Sequence, residues 1–324
     1  MAEDALLPTV HVVGANPALD RLQVVPSLTV GEVNRATEAV ARPGGKGMIV
    51  ARGVARLGGS VALHGFLGGP VGQDIARGCE ALGIADHHVR ISGDTRTTTV
   101  IIDASSGSST VVNEPGPVVS SVEVDQLVVG VLDAVRAGDL VVCTGSLPPG
   151  VGPDLYASLV QPLRDRGVQV LIDTSGPPLD AAMRSSPDVL KVNEEELRGV
   201  ARTALCEDGD ADLETLMGRA LELGVRSIIV TRGAAGLSCR SATHRVDVTA
   251  PEVHVVNATG SGDLMLAGFV TSLAAGEDLV TALRHGTAAG AANAARLEPD
   301  LSGEAEVLRL RELATASDVR RGDR

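Results

Sequence analysis

Six apolar runs, each nearly free of polar interruptions, alternate with segments of helical periodicity, and this alternation restricts the fold more than any other feature. The runs are TVHVVG (9–14), SVALHGFLG (60–68), DLVVCTG (139–145), VQVLIDT (168–174), DVLKVN (188–193) and RSIIVTRG (226–233). Helical spacing of apolar residues recurs at 46–57, 71–82, 121–136, 154–166, 195–203 and 212–223, then at 261–275 and 278–297. Strands apolar on both sides must be covered on both faces, and parallel strands need a crossover between them. The expectation is an α/β fold with a mainly parallel sheet between two helical layers.

Two segments break the rhythm. Residues 20–42 alternate polar and apolar positions, and DTRTTTVIIDASSGSSTVVNEPG (94–116) reads as a hairpin closing over SSGSS. Each has one polar and one apolar face, so together they are expected to form a small β lid. With 324 residues, 44% of them hydrophobic, residues 1–324 are read as one domain carrying that lid. The terminal ASDVRRGDR is polar and expected to be disordered.

A formal charge of −13 argues against a nucleic-acid backbone or an anionic membrane as partner. Cys79, Cys143, Cys206 and Cys239 form no CxxC pair and read as reduced thiols, and MAEDALLPTV has acids where a signal peptide has a basic patch. The expected location is cytoplasmic. Of 28 basic residues only Lys46 and Lys191 are lysine, which marks PGGKGMIVA and VLKVNEEEL as places where a compact ammonium is preferred to a guanidinium.

An open α/β sheet places its ligands in the loops beyond its strand ends. Here those loops read NPALD, GGKG, TGSLPPG, KVNEEE, TRGAAG and NATGSGD. Neither GxxxxGK[ST] nor a GxGxxG after a strand is present, which removes the best evidence for a P-loop or a dinucleotide dehydrogenase. TGSGD has its own mechanics. Bare amides at Gly260, Ser261 and Gly262 suit an anion at a helix start, and Asp263 beside them suits a base that takes a hydroxyl proton. A capped helix with a carboxylate on its dipole is the alternative for that stretch alone.

In this order, NPALD, GGKG, NEPGP, TGSLPPG, KVNEEEL and NATGSGDLMLAGF resemble the PfkB branch of the ribokinase-like kinases over about residues 9–315. Within that branch they are most similar to the 1-phosphofructokinase and tagatose-6-phosphate kinase group. The resemblance implies a ribokinase-like three-layer α/β/α sandwich whose lid can serve for homodimerisation. It also implies ATP and Mg2+, with the γ-phosphoryl group passing to a sugar-phosphate hydroxyl. On it, Asp263 is the base and Gly260, Ser261 and Gly262 the anion hole. Asp20, Gly44, Gly45, Lys46 and Arg96 fall at sugar-phosphate positions. Lys191, Asn193, Thr231, Gly233, Gly236, Thr259, Thr287 and Gly290 fall on the nucleotide side, and Glu196 at the magnesium position.

Each position also has a plainer reading. Asp20 suits a turn after Pro17, Lys46 a solvated first helical turn, Asn193–Glu196 an acidic helix start and Arg96 a lid surface. His87 and His88 lack partners at metal spacing and read as loop residues. Two residues depart from the resemblance. Ile49 stands where asparagine is usual and can pair with no sugar hydroxyl, and Thr98 replaces a second asparagine. Fructose 1-phosphate is the first acceptor suggested. The alternatives are a 6-phosphofructokinase, a tagatose-6-phosphate kinase, a kinase of unphosphorylated sugars or nucleosides, and a binding protein on the same fold.

Overall fold

The computed structural model describes residues 7–205 and 211–320. In chain order the elements are β1 (Val10–Val13), β2 (Ala18–Val25), β3 (Glu38–Gly44), α1 (Lys46–Arg56), β4 (Val61–His64), β5 (Phe66–Leu67) and α2 (Gly69–Ala81). Next come β6 (Ala85–Asp86), β7 (Val89–Arg90), β8 (Arg96–Asp103), β9 (Ser109–Asn113), α3 (Ser121–Ala134), β10 (Leu140–Thr144), α4 (Leu155–Arg164), β11 (Gln169–Asp173) and α5 (Pro177–Met183). The chain continues through β12 (Val189–Asn193), α6 (Glu194–Gly199), α7 (Leu213–Glu222), β13 (Ser227–Thr231), β14 (Leu237–Ser241) and β15 (His244–Thr249). It ends with α8 (Ser261–Ala274), α9 (Leu279–Ala294), α10 (Glu304–Leu313) and β16 (Thr315–Arg320).

The main sheet has ten strands in the order β16-β15-β14-β13-β12-β11-β10-β1-β4-β6. It is parallel from β6 to β13, and β14, β15 and β16 continue it antiparallel. Alternate residues of one strand serve two cores. Val10, Val12, Leu140 and Val142 pack with α1, α8 and α9, whereas Val13, Val141, Cys143 and Val170 pack with α3, α4 and α7. Both faces are therefore dry, as the uninterrupted apolar runs require.

The two irregular segments pair into one sheet of order β3-β2-β8-β9, with β2 parallel to β8 and the β8–β9 hairpin closing over residues 104–108. The C-terminus differs from expectation. Residues 315–320 form β16 on β15, because a backbone ladder at a sheet edge needs no apolar side chains. The rest of that tail, and Cys206, lie outside the described residues. Cys79, Cys143 and Cys239 are buried free thiols, and among the described residues no helix is long and apolar enough to cross a membrane.

Candidate active site

Helix α8 begins with a turn that only glycine permits. Gly260 has φ 77° and caps the helix, and a Cβ there would lie 2.8 Å from Pro299. Asn257 shapes the approach, accepting from the Thr259 amide at 3.0 Å and donating to the Leu297 carbonyl at 2.8 Å. The Ser261 amide donates to the Ala258 carbonyl at 3.1 Å. Of the three amides expected in the anion hole, Ser261's is thus already committed, because the left-handed turn folds it back on the preceding residues. Among the described residues no acceptor takes the amides of Gly260, Gly262 and Asp263. At Gly262 a Cβ would sit 3.0 Å from Lys191 Nζ, so the missing side chain lets the ammonium lie under the helix start.

Lys46 opens α1 behind Gly45, whose φ is 83°. Its Nζ lies 3.7 Å from Asp173 Oδ1, and Lys191 Nζ donates to Asp173 Oδ2 at 3.1 Å. Both lysines therefore converge on one buried carboxylate at the end of β11. Burial would raise the Asp173 pKa, but Lys191 and Lys46 together hold it below its ordinary value. Asp263 is also buried, and burial pushes its pKa up to about 6. Lys46 and Lys191 pull it down while Asp173 and Glu196 push it further up. A carboxylate tuned to about 6 is ionised at neutral pH and still basic enough to take a proton.

Lys46 and Asp263 face a cavity of about 870 Å³. Asp20, Gly45, Lys46, Ile49, Arg96, Thr98, Gly260 and Asp263 all stand in its wall. The Asp20 carboxylate packs where a Gly44 side chain would be, since a Cβ there would lie 2.0 Å from its Oδ2. Burial raises the Asp20 pKa against the Gly45 amide and the Arg96 and Arg52 charges. Arg96 is buried rather than on the lid surface. It donates to the Asn16 and Glu114 carbonyls, Thr98 Oγ1 and Asn113 Oδ1. All of these hydrogen-bond partners are neutral oxygens, and the Asp20 and Glu114 carboxylates act on the guanidinium only through space. His87 is exposed as expected of a loop, but His88 is not. Its ring is buried, Nδ1 is 2.7 Å from Asp86 Oδ1, and the residue lines the cavity. Asp86 and the apolar strand ends around it draw the ring inward.

A second cavity of about 510 Å³ lies across the start of α8. It gathers Thr231, Gly233, Gly236, Thr287 and Gly290 with Ser261 and Gly262, and Leu237, Val253, Val255 and Met265 supply an apolar wall. Gly236 has φ 89°, and a Cβ there would meet the Val248 carbonyl at 1.9 Å. Gly290 lets α9 approach α8, since its Cβ would meet the Ser261 carbonyl at 3.0 Å. Thr259 lines the larger cavity instead, because the turn at Gly260 carries it to the other side. Lys191 lines neither and lies beneath Gly262.

Asn193 and Glu196 form a reciprocal capping box at the start of α6, with bonds of 2.8 and 2.7 Å. Among the described residues no group of three or more His, Cys, Asp or Glu side chains is placed to hold a metal. One oxygen of Glu196 is taken by the Asn193 amide and the other remains. A lone carboxylate suits Mg2+, which keeps several waters and takes its other ligands from a bound phosphate. Asp173 was not singled out from the sequence, although a lone acid ending the run VQVLID was a usable signal.

A buried carboxylate beside bare amides, between two chambers at the carboxyl end of a parallel sheet, defines a phosphotransferase with an alcohol acceptor. The comparisons agree. Residues 10–304 match the pfkB family carbohydrate kinase family. The chain is 33% identical over 283 residues to 1-phosphofructokinase of Rhodobacter capsulatus, covering 86% of this chain and 88% of that one. It superposes on phosphofructokinase-2 of Escherichia coli with a TM-score of 0.86 at 25% identity, covering 94% and 98% of the two chains. With ribokinase of Thermotoga maritima the TM-score is 0.78 at 22% identity, over 94% and 99%, which places the fold as ribokinase-like. The chain belongs to the PfkB family of carbohydrate kinases.

Proposed function

We propose that this kinase transfers the γ-phosphoryl group of MgATP to a sugar-phosphate hydroxyl, with fructose 1-phosphate as acceptor and fructose 1,6-bisphosphate as product. One observation carries the reading: the first turn of α8 is the partition between the two cavities. Gly260 and Asp263 face the larger one, while Ser261 and Gly262 face the smaller. A phosphoryl group passing between them stays within reach of the same helix start.

The acceptor hydroxyl loses its proton to Asp263 as its oxygen bonds to the γ-phosphorus. The bond from that phosphorus to the bridging oxygen breaks, and ADP leaves. The uncommitted amides of Gly260, Gly262 and Asp263, with Lys46 and Lys191 nearby, stabilise the charge on the migrating group. Glu196 would hold the Mg2+, which supplies positive charge against the β- and γ-phosphates. Arg96, a guanidinium in the wall of the larger cavity whose hydrogen bonds all go to neutral oxygens, suits the phosphate already on the sugar, and the name of the Rhodobacter relative supports fructose 1-phosphate. The likeness to phosphofructokinase-2 keeps fructose 6-phosphate as the second acceptor to test. We read the lid as the contact for a second copy, since β9 is exposed along its whole length and ends the small sheet.

A coupled ADP-release screen over sugar phosphates, free sugars and nucleosides tests the reading. Fructose 1-phosphate should give the highest kcat/KM. A free sugar or nucleoside exceeding every sugar phosphate would overturn it.

A further inference from the structure

Helix α9 reaches the turn at the start of α8 with the polar side chain of Asn293. Asn293, in its last turn and 1% exposed, donates from Nδ2 to the Thr259 carbonyl and to Ser261 Oγ, both at 2.9 Å. A carbonyl can only accept, which fixes the end of the carboxamide that faces it. The two acceptors flank Gly260, so one amide group spans the left-handed turn. Its Oδ1 is buried without a partner, an unmet polar atom that a position serving packing alone would be expected to lose.

A hydroxyl that accepts from a fixed amide must point its own hydrogen elsewhere. Among the described residues no acceptor takes the Ser261 hydroxyl hydrogen, and Ser261 lines the smaller cavity beside Gly262. We infer that Ser261 serves the migrating phosphoryl group through its side-chain hydroxyl rather than its amide, and that Asn293 is the positioning residue that keeps this hydroxyl a donor. The inference rests on the phosphoryl transfer proposed above and adds a donor where the committed Ser261 amide had removed one.

Ser261→Ala, Asn293→Ala and the double variant, compared with the intact enzyme, test this by steady-state kinetics and by ADP titration with and without aluminium fluoride. Ser261→Ala keeps every backbone amide and should lower kcat about 10–100-fold, with KM for both substrates nearly unchanged. It should lose a similar factor in the tightening of ADP by aluminium fluoride. Asn293→Ala should show the same kcat-selective loss, and the double variant should be no worse than Asn293→Ala. If Asn293→Ala is insoluble, the isosteric Asn293→Asp replaces it, since its carboxylate would capture the hydroxyl proton and abolish the tightening. Full kcat and full tightening in Ser261→Ala, or losses that multiply in the double variant, would overturn the assignment alone. No tightening in the unaltered enzyme would overturn the phosphoryl-transfer reading and the assignment with it.

Discussion

Lys46 and Lys191 occupy opposite oxygens of Asp173, at 3.7 and 3.1 Å, and are the only lysines in the chain. One carboxylate thus positions two ammonium groups under the start of α8, where a planar guanidinium would not fit beneath Gly262. Asp173→Asn would leave both ammonium groups without their nearest carboxylate, and breaking a buried pair in this way costs about 3–5 kcal/mol. Urea unfolding should report a loss near the lower figure, because Lys46 can swing partly into solvent. A loss below about 1 kcal/mol would contradict the arrangement.

Asp263→Asn should abolish turnover, by roughly a hundredfold or more, and leave nucleotide binding nearly intact. The pKa of about 6 adds a pH signature. The basic form exists above about 6, so kcat should be level at neutral pH and fall about tenfold per unit on the acid side. A flat profile down to pH 5 would refute the role of base.

Ile49 is 7% exposed in the acceptor wall, and its Cδ1 lies 3.8 Å from where a Gly260 side chain would be. It offers a sugar hydroxyl no partner. Ile49→Asn should raise kcat/KM for fructose 1-phosphate or fructose 6-phosphate by roughly tenfold. Unchanged or lower values with both substrates would count against that account.

Arg96→Ala should erase the preference for phosphorylated over plain sugars. It should also lower stability, because the same guanidinium ties Asn16, Asn113 and Glu114 together. Competition assays with both sugar types check the first effect, and thermal melts the second. Preference surviving in a folded variant would move the phosphate site away from Arg96.

His11, His64 and His88 are neutral in the fold, burial holding all three below 6.5 and His64 at about 2. The unfolded chain takes up these protons below about 6.5, so the stabilisation is complete above that pH and is lost as pH falls. For His64 the loss approaches about 1.4 kcal/mol per unit, and His11 and His88 act in the same direction. Urea midpoints measured from pH 7.5 to 5 should show it, and His64→Leu should reduce the slope.

The central strands were readable because burial on both faces leaves no polar position to obscure them, as in LVVCT of β10. The lid was readable from its alternation. Strand β16 and helices α5 and α10 were not, because an edge ladder and short helical segments depend on docking surfaces that local spacing does not encode. In the candidate site, Gly260, Asp263 and Lys46 stand out in the sequence because their loops carry unusual residues in a fixed order. Asn293 does not, since it matters through Thr259 and Ser261, 34 and 32 positions away, which only the folded chain brings to it; Asp173 carried only the weak signal of a lone acid ending an apolar run, with Lys191 18 positions on.

The partition at α8 also divides the chain along its sequence. Apart from Ser175, the helix start and its neighbours Asn257, Thr259 and Pro299, residues 14–149 wall the acceptor chamber, while residues 231–294 wall the other. On the proposed function, a substitution in the first half can retune which sugar enters without disturbing how the nucleotide is gripped in the second. A departure such as Ile49, in the wall of the larger cavity, is tolerable on those terms, because on the proposed function it bears on the acceptor and leaves the residues lining the smaller cavity untouched.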